Sequence, residues 1–461
     1  MMKKHTDIHN LNRRDALKLA GIGSAAVLFG SEEAEASVGS LQKKPSKTKP
    51  LRIVIIGGGM AGTTLAYRLR RAITWPEITV FEPLRTSAWY QPGLTMVGTG
   101  IWCEQQLEYK RKAFIPEGVR WIESAVVSID TDLNRVKDEN GNETEYDYLI
   151  IASGAVLDYA AIEGLEGEIA SLEMLEKKAS WMDDPAIGSI YYFHGAAQLH
   201  ERFTALVQKA VGLSDDEKLS ILFTQENIHI KSPGAALSAL FTLIRKLKDA
   251  GVRHKAEITL NAGDGRLSAN DTYDSLYKKI LKREGVFFES ERLMNVDTAI
   301  KAVNFTNQKS MGYDFLHITP SMHTGRLFTQ SGLTDKDGWI DVEERTLQHR
   351  HFKNIFAVGD AAGTSALKTG AAIVDQVKTV VDTIRAIDEG KKPDVTYDGY
   401  GCDTVLCVKK KSVLFEAYDK KKKPLALVEF MNPLECHDIY WYLNSRMLKP
   451  YVMYGVMKGW A

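Results

Sequence analysis

What this chain lacks narrows its reading before any motif is considered. No apolar run reaches the roughly 20 residues that a bilayer-crossing helix needs, so no helical span is expected. Neither charge sign is in excess, with 59 Lys plus Arg against 59 Asp plus Glu, and no nucleic-acid partner is implied. Cysteine is scarce: Cys103, Cys402, Cys407 and Cys436 are the four present. Their pairing stays open among three complete connectivities, a small Cys402–Cys407 loop or unpaired thiols. Histidines such as His194 and His200 stand alone, which assigns no metal. At 461 residues with an ordinary apolar fraction, the chain has room for two or three domains.

The N-terminus reads as an export signal. Arg13 and Arg14 precede a moderately apolar stretch from Ala16 to Gly30, and small residues at Ala34 to Ala36 supply a cleavage site. The pattern resembles a twin-arginine signal over residues 1–36, which implies a periplasmic protein whose thiols meet an oxidising compartment. An uncleaved anchor is the competing reading. Residues 37–50 follow as a basic, Pro-containing linker.

The strongest signal begins at Leu51. A β-branched run, Ile53 to Ile56, leads into Gly57, Gly59 and Gly62 at G-x-G-x-x-G spacing, with Met60 and Ala61 between them and helical periodicity after Thr63. Gly57 makes the tight turn, Gly59 admits a pyrophosphate to the backbone, and Gly62 lets helix and strand pack closely. The helix N-terminus then offers amides and a positive dipole end to phosphates. Glu82, at the end of a second strand, stands where an acidic side chain accepts hydrogen bonds from adenosine ribose hydroxyls. Downstream, Ile355 to Val358 ends in Gly359 and Asp360, an acidic strand end able to bind a flavin polyol chain, which NAD lacks. Tyr148 to Ala155 adds a strand leading to Ser153 and Gly154. Together these elements select FAD.

At this point the chain resembles the sulfide:quinone oxidoreductases, within the group that includes flavocytochrome c sulfide dehydrogenase flavoproteins and single-subunit NADH dehydrogenases. The likeness runs from Arg52 to the C-terminus through "WYQPGLTMVGTG", "YDYLIIASG", "TLQHRHFKNIFAVGD", "KTGAA" at 368–372 and "YDGY" at 397–400. It implies an α/β fold of two Rossmann-like dinucleotide-binding domains, glutathione-reductase-like, plus a C-terminal membrane-surface segment. FAD-binding parts are expected at residues 51–160 and 316–390, the second Rossmann-like domain at 161–315, and the amphipathic region at 391–461. The resemblance also places Tyr90, Gln91 and Pro92 near the flavin. It puts Lys368, Thr369 and Gly370 at the start of a helix whose positive end faces the isoalloxazine ring and raises its potential.

The corner "NIHIKSPGAALSAL", residues 227–240, occupies the place of the second dinucleotide loop. Only Gly234 is available to cradle a pyrophosphate, so NADH is disfavoured as the donor. In the resembled family this corner carries one cysteine of a redox pair. Alignment on Lys231, Gly234 and Ala235 puts Ser232 on it, and its partner falls on Ala361. A serine cannot form a disulfide, its hydroxyl needs an adjacent base to ionise, and alanine cannot react at all. Sulfide oxidation through the usual thiols is therefore not expected, although Cys103, Cys402 or Cys407 could stand near the ring instead.

The tail alternates lysine clusters with apolar pieces. Tyr440, Trp441, Tyr442, Leu443, Met447 and Leu448 suit a helix lying in the bilayer interface, with Arg446 and Lys449 toward lipid phosphates and Pro450 interrupting it. An aromatic dimer or domain contact is the alternative, so a homo-oligomer stays open. The expected function is an FAD-dependent oxidoreductase passing electrons from a small donor to membrane quinone. A cytochrome c subunit as acceptor, an NADH:quinone dehydrogenase and a flavin-binding protein without turnover are the competing readings.

Overall fold

Along the chain, β1 (Leu51–Ile56), α1 (Met60–Ala72), β2 (Pro76–Phe81), β3 (Arg120–Ile122) and β4 (Tyr148–Ile151) form a first group. A second group comprises β5 (Ile187–Gly188), α2 (Phe193–Gly212), β6 (Leu219–Gln225), α3 (Gly234–Asp249), β7 (Ala256–Ala262), α4 (Asp271–Arg283), β8 (Val286–Glu289) and β9 (Phe315–Thr319). The chain then returns through β10 (Ile355–Ala357) and α5 (Gly370–Asp388) to the hairpin β11 (Gly401–Val408) and β12 (Lys411–Ala417). This computed structural model describes residues 49–84, 87–166, 168–169, 179–408, 411–417 and 432–460. The expected signal at 1–36 and nearly all of the linker lie outside the described residues.

The two groups build two parallel sheets of the same design. The first has the order β10-β4-β1-β2-β3 and the second β5-β9-β6-β7-β8. Strand periodicity explains why β1 sits centrally: Ile53 and Ile55 pack into the cluster under α1 and α5, while Val54 and Ile56 join the cluster on the opposite face. A strand covered on both faces needs apolar residues at successive positions, as this run provides. β9 pairs with β6 in the second sheet, so that sheet extends past the boundary expected at residue 315.

Hairpin β11–β12 packs on α3 and adds Val405, Val413 and Phe415 to the second core. Its strand partner is not the Cys402–Cys407 loop weighed from sequence: Cys407 is bonded to Cys436, while Cys103 and Cys402 lie outside the disulfide. Cysteines 402 and 407 share one extended strand, which carries them apart.

The C-terminal segment departs from expectation in two respects. Helical backbone continues through Pro450, because α6 (Asp438–Tyr442) runs on through π-helical turns at Leu443–Met447 and Tyr451–Val456 around Leu448–Pro450. The wider turns accommodate a residue with no amide to donate. Tyr440 and Leu443 are also buried rather than turned outward, whereas Tyr442, Met447, Tyr454 and Trp460 are exposed. Among the described residues, no helix is long and apolar enough to cross a membrane.

Candidate functional site

The glycine-rich turn after β1 is tight for steric reasons. Gly57 adopts φ 102°, and a Cβ there would lie 2.5 Å from the Ala152 carbonyl oxygen. A Cβ on Gly62 would come 1.8 Å from the Gly57 oxygen, which fixes how closely α1 approaches the loop. Gly59, in contrast, has no heavy atom within 4 Å of its hypothetical Cβ, because that side opens into a long cleft. The first turn of α1 carries no acidic side chain and its amides have no carbonyl within the helix, leaving the positive end available to an anion.

Glu82 closes one side of this cleft, but its oxygens already have protein partners. Oε2 accepts from the Gly58 amide at 2.8 Å and pairs with Arg111 Nη1 at 2.9 Å, while Oε1 accepts from the Leu84 amide at 3.1 Å. Arg111 also donates to the Gly58 carbonyl at 3.1 Å, and both charged side chains are buried. Each carboxylate oxygen keeps lone-pair capacity toward the cleft. Trp121 packs so close to Gly58 that a Cβ there would meet its ring at 2.4 Å.

The other end of the cleft is rich in buried polar groups. Gly154, at φ 76°, leaves open space where a Cβ would stand. Ser153 Oγ and Thr369 Oγ1 are buried without a protein hydrogen-bond partner, and both residues line the cleft. Gly359 is held by Gln376, whose Oε1 accepts its amide at 2.7 Å, and so presents Asp360 at the cleft wall. Lys231 and Lys368 form an isolated parallel bridge. Lys231 Nζ donates to Gln91 Oε1 at 3.3 Å, and Lys368 Nζ donates to the carbonyls of Ala362 and Asp360 at 2.7 and 3.0 Å while lying 3.7 Å from the centre of the Trp339 ring. Burial pulls the Lys368 ammonium down to about 8 and lowers Lys231, with Asp360 opposing both; burial raises Asp360 in turn. Thr369 caps α5, and Gly370 begins it beside Met60.

Ser232 stands at this end in a left-handed conformation, φ 44°, which is uncommon for a residue with a Cβ. Its amide donates to the Lys368 carbonyl at 3.0 Å and its carbonyl accepts from Tyr191 Oη at 3.2 Å, so the corner is pinned on both sides. Ser232 lines the cleft; Ala361 does not. The short turn Gly359–Ala361 buries the Ala361 methyl completely in the core beside Val54 and Ala357, which corrects the expectation of a paired position facing the ring. Cys103 is exposed, with its thiol beside Gln106, and is absent from the cleft wall.

A second cavity opens beyond Ser232. It shares Met60, Tyr90, Pro92, Thr95, Ser232 and Thr369 with the first and is roofed by Tyr440, Leu443, Tyr451 and Val456 of the C-terminal segment. Cys402, Asp403 and Thr404 form its polar wall. Sequence reading missed Arg111, Gln376, Asp403 and Tyr191. None belongs to a spaced motif, and each reaches the site from a separate element; only the topology brings them together.

Residues 51–185 match the family model described as pyridine nucleotide-disulphide oxidoreductase. The chain is 29% identical over 414 residues to the mitochondrial sulfide:quinone oxidoreductase of Mus musculus, covering 88% of this chain and 86% of that protein. It is 27% identical over 385 residues to the mitochondrial enzyme of Dictyostelium discoideum, covering 82% and 80%. The solved sulfide:quinone oxidoreductase of Aquifex aeolicus superposes with a TM-score of 0.70 at 18% identity, over 89% of this chain and 92% of that one, which shows a shared fold. This chain is thus similar to the sulfide:quinone oxidoreductases over most of its length. It is an FAD-dependent oxidoreductase, and its residues fit that cofactor. The open faces of Gly59 and Gly154, the anion-accepting end of α1 and the orphaned hydroxyls of Ser153 and Thr369 line one cleft, whose empty volume is about 1520 Å³ including its mouth. A dinucleotide supplies the hydrogen-bonding atoms that these buried hydroxyls lack.

Proposed function

We propose that this flavoprotein passes electrons from a small donor to quinone at a periplasmic membrane surface, without the cysteine pair used by thiol-dependent sulfide oxidation. Bound FAD would supply two-electron redox chemistry. The chain's own residues would hold it: Gly57, Gly59, Met60, Ala61 and Gly62 at the phosphates, Glu82 at the ribose, Asp360 at the polyol chain, and Gln91, Ser153, Gly154, Thr369 and Gly370 around the ring. Lys231 and Lys368 place positive charge where the ring gains electrons.

The observation that carries this reading is the junction of the two cavities at Ser232. One cavity suits a dinucleotide. The other is lined by apolar and polar side chains together, has an empty volume of about 890 Å³ including its mouth and lies under the segment whose outer face exposes Tyr442, Met447 and Tyr454. A lipid-soluble ring can enter under such a roof and reach the cofactor without crossing bulk water. The geometry also disfavours NADH: the amide of Gly234, at the start of α3, is already bonded to Asp403 Oδ2 at 2.8 Å, so the chain's own carboxylate occupies part of the anion site a dinucleotide would use.

Anaerobic titration tests the reading. Sulfide, NADH and a quinol are added separately to the purified holoprotein while the visible flavin absorption is followed, and the reduced protein is then mixed with a short-chain quinone. Reoxidation by quinone supports the acceptor assignment. Rapid bleaching by sulfide would identify sulfide as the donor even though Ser232 and Ala361 stand where the thiols would be, bleaching by NADH alone would favour a dehydrogenase, and failure of quinone to reoxidise the protein would overturn the proposal.

A further inference from the structure

Among the described residues that line the second cavity, Asp403 is the one acidic side chain. It sits near the start of β11, where the strand leaves "YDGY", and points toward the amino end of α3. Its Oδ2 accepts from Gly234 at 2.8 Å and its Oδ1 from Thr404 at 2.8 Å, and a Cβ on Gly234 would stand 3.0 Å from Oδ2. Among the described residues, no ion pair reaches it. The carboxyl therefore faces the cavity with two backbone donors and, among the described residues, no paired cation.

We propose that Asp403 is the proton-exchanging group of this cavity, giving a proton to a quinone oxygen as the quinone is reduced there. The inference rests on the reading of the cavity as the quinone site. The balance requires it: one quinone takes two electrons and two protons to become quinol. The reduced cofactor, when bound, would supply two electrons and one proton, and the second proton comes from the Asp403 carboxyl. The carboxylate left behind is stabilised by the Gly234 and Thr404 amides and by the positive end of α3. Asp403 is half-buried, so it recovers a proton from solvent before the next turnover.

The electrostatics agree with this placement. Burial pushes the carboxyl up to about 6, against the two amide bonds that lower it. The titratable groups facing it are Tyr191 from the segment before α2, Tyr277 from α4 and the neighbouring Cys402. Burial drives both tyrosines well above their ordinary range, so they are much weaker acids than the Asp403 carboxyl. Ser232 and Thr369 add neutral hydroxyls to the same wall.

The test uses the full holoprotein, photoreduced under argon and mixed with a short-chain ubiquinone, so that no natural donor is needed. In the native protein the reoxidation rate falls as pH rises through about 6, since the protonated fraction is lost. Asp403→Asn keeps the shape but carries no exchangeable acid, and its rate falls at least tenfold at pH 6 with a flat profile. Asp403→Glu restores a pH-dependent rate. A second readout is independent of turnover: binding of the oxidised quinone, followed by tryptophan quenching, stays within about threefold of native in Asp403→Asn. If native protein is not reoxidised, the quinone reading fails. Should native protein be reoxidised while Asp403→Asn keeps both its rate and its pH profile, the inference about Asp403 fails alone. Loss of quinone binding in Asp403→Asn, without a change in the pH profile of what remains, would assign Asp403 to shaping the cavity and equally overturn it.

Discussion

Lys231 and Lys368 are bridge partners on adjacent backbone segments, and both ammonium groups are buried at the same end of the cofactor cleft. Two cations this close are held apart by different acceptors. One bonds Gln91, and the other bonds backbone carbonyls beneath the Trp339 face. With Asp360 as the nearby counter-charge, the arrangement keeps net positive charge at this end of the cleft.

The charge on Lys368 should therefore be visible in the flavin potential. Burial holds its ammonium at about 8, so it is a cation below that pH and neutral above it. A cation favours the reduced, anionic ring, and the midpoint potential should fall more steeply as pH rises through about 8. Lys368→Met should lower the potential at pH 7 by about 30–60 mV, the ~1.4–2.8 kcal/mol expected of one nearby charge at an intermediate effective dielectric. The break near pH 8 should disappear with it. Spectroelectrochemical titration across pH 6 to 10 measures both effects.

Gly59 and Gly62 of the phosphate loop should respond differently to the same added methyl group. Gly62→Ala drives a Cβ into the Gly57 carbonyl, where backbone opposes it, and should give insoluble or flavin-free protein. Gly59→Ala meets nothing in the protein, so it should fold with a melting temperature near native. Its methyl points into the cleft, and flavin retention after dialysis should fall at least tenfold. Equal retention by Gly59→Ala and native protein would show that the pyrophosphate does not pass over this turn.

Glu82 and Arg111 should fail as a pair. Removing either partner leaves a buried charge facing neutral groups, at a cost of about 3–5 kcal/mol. Glu82→Gln should lower the thermal midpoint and the flavin content together, because the same carboxylate orients the Gly58 amide. Glu82→Gln combined with Arg111→Met should recover part of the stability while leaving the flavin content low. Differential scanning fluorimetry and the ratio of visible to ultraviolet absorption distinguish the two outcomes.

The parts of the site that were legible in sequence are those in which one residue type has one steric or chemical use. Gly57, Gly59 and Gly62 belong to this class, as do the β-branched run of β1 and the strand end at Gly359 and Asp360. Contacts between distant segments were not legible. Arg111 pairs with Glu82 from a short 3-10 turn, and Asp403 reaches α3 from a hairpin, neither with a spacing to announce it. Ala361 shows a different limit: its place in the chain was clear, yet the turn rotates its side chain into the core, a rotation set by backbone geometry. In the tail, residue type alone grouped Tyr440 and Leu443 with Tyr442 and Met447, and the angle between successive residues of the helical backbone, which changes at the π-helical turns beyond Tyr442, sets which of them face inward.

The same change of angle determines which residues can meet a membrane. Tyr442 and Tyr454 are 50% and 70% exposed, on the outer side of the segment that roofs the second cavity, with Met447 between them in the chain. Arg446 and Lys449 lie within the same stretch. An aromatic ring with a polar tip suits the headgroup region, and basic side chains add attraction to anionic lipid. Native protein should co-sediment with vesicles containing phosphatidylglycerol, more weakly at high salt. Tyr442→Ser with Tyr454→Ser should reduce binding at least tenfold, a fraction of the ~1.5–3 kcal/mol that full burial of one such side chain is worth. Reoxidation by a water-soluble short-chain quinone should be unchanged, since neither residue lines the second cavity. Vesicle binding equal to native in the double variant would assign this face to a protein contact, and sedimentation velocity of the native protein would then show self-association that the variant lacks.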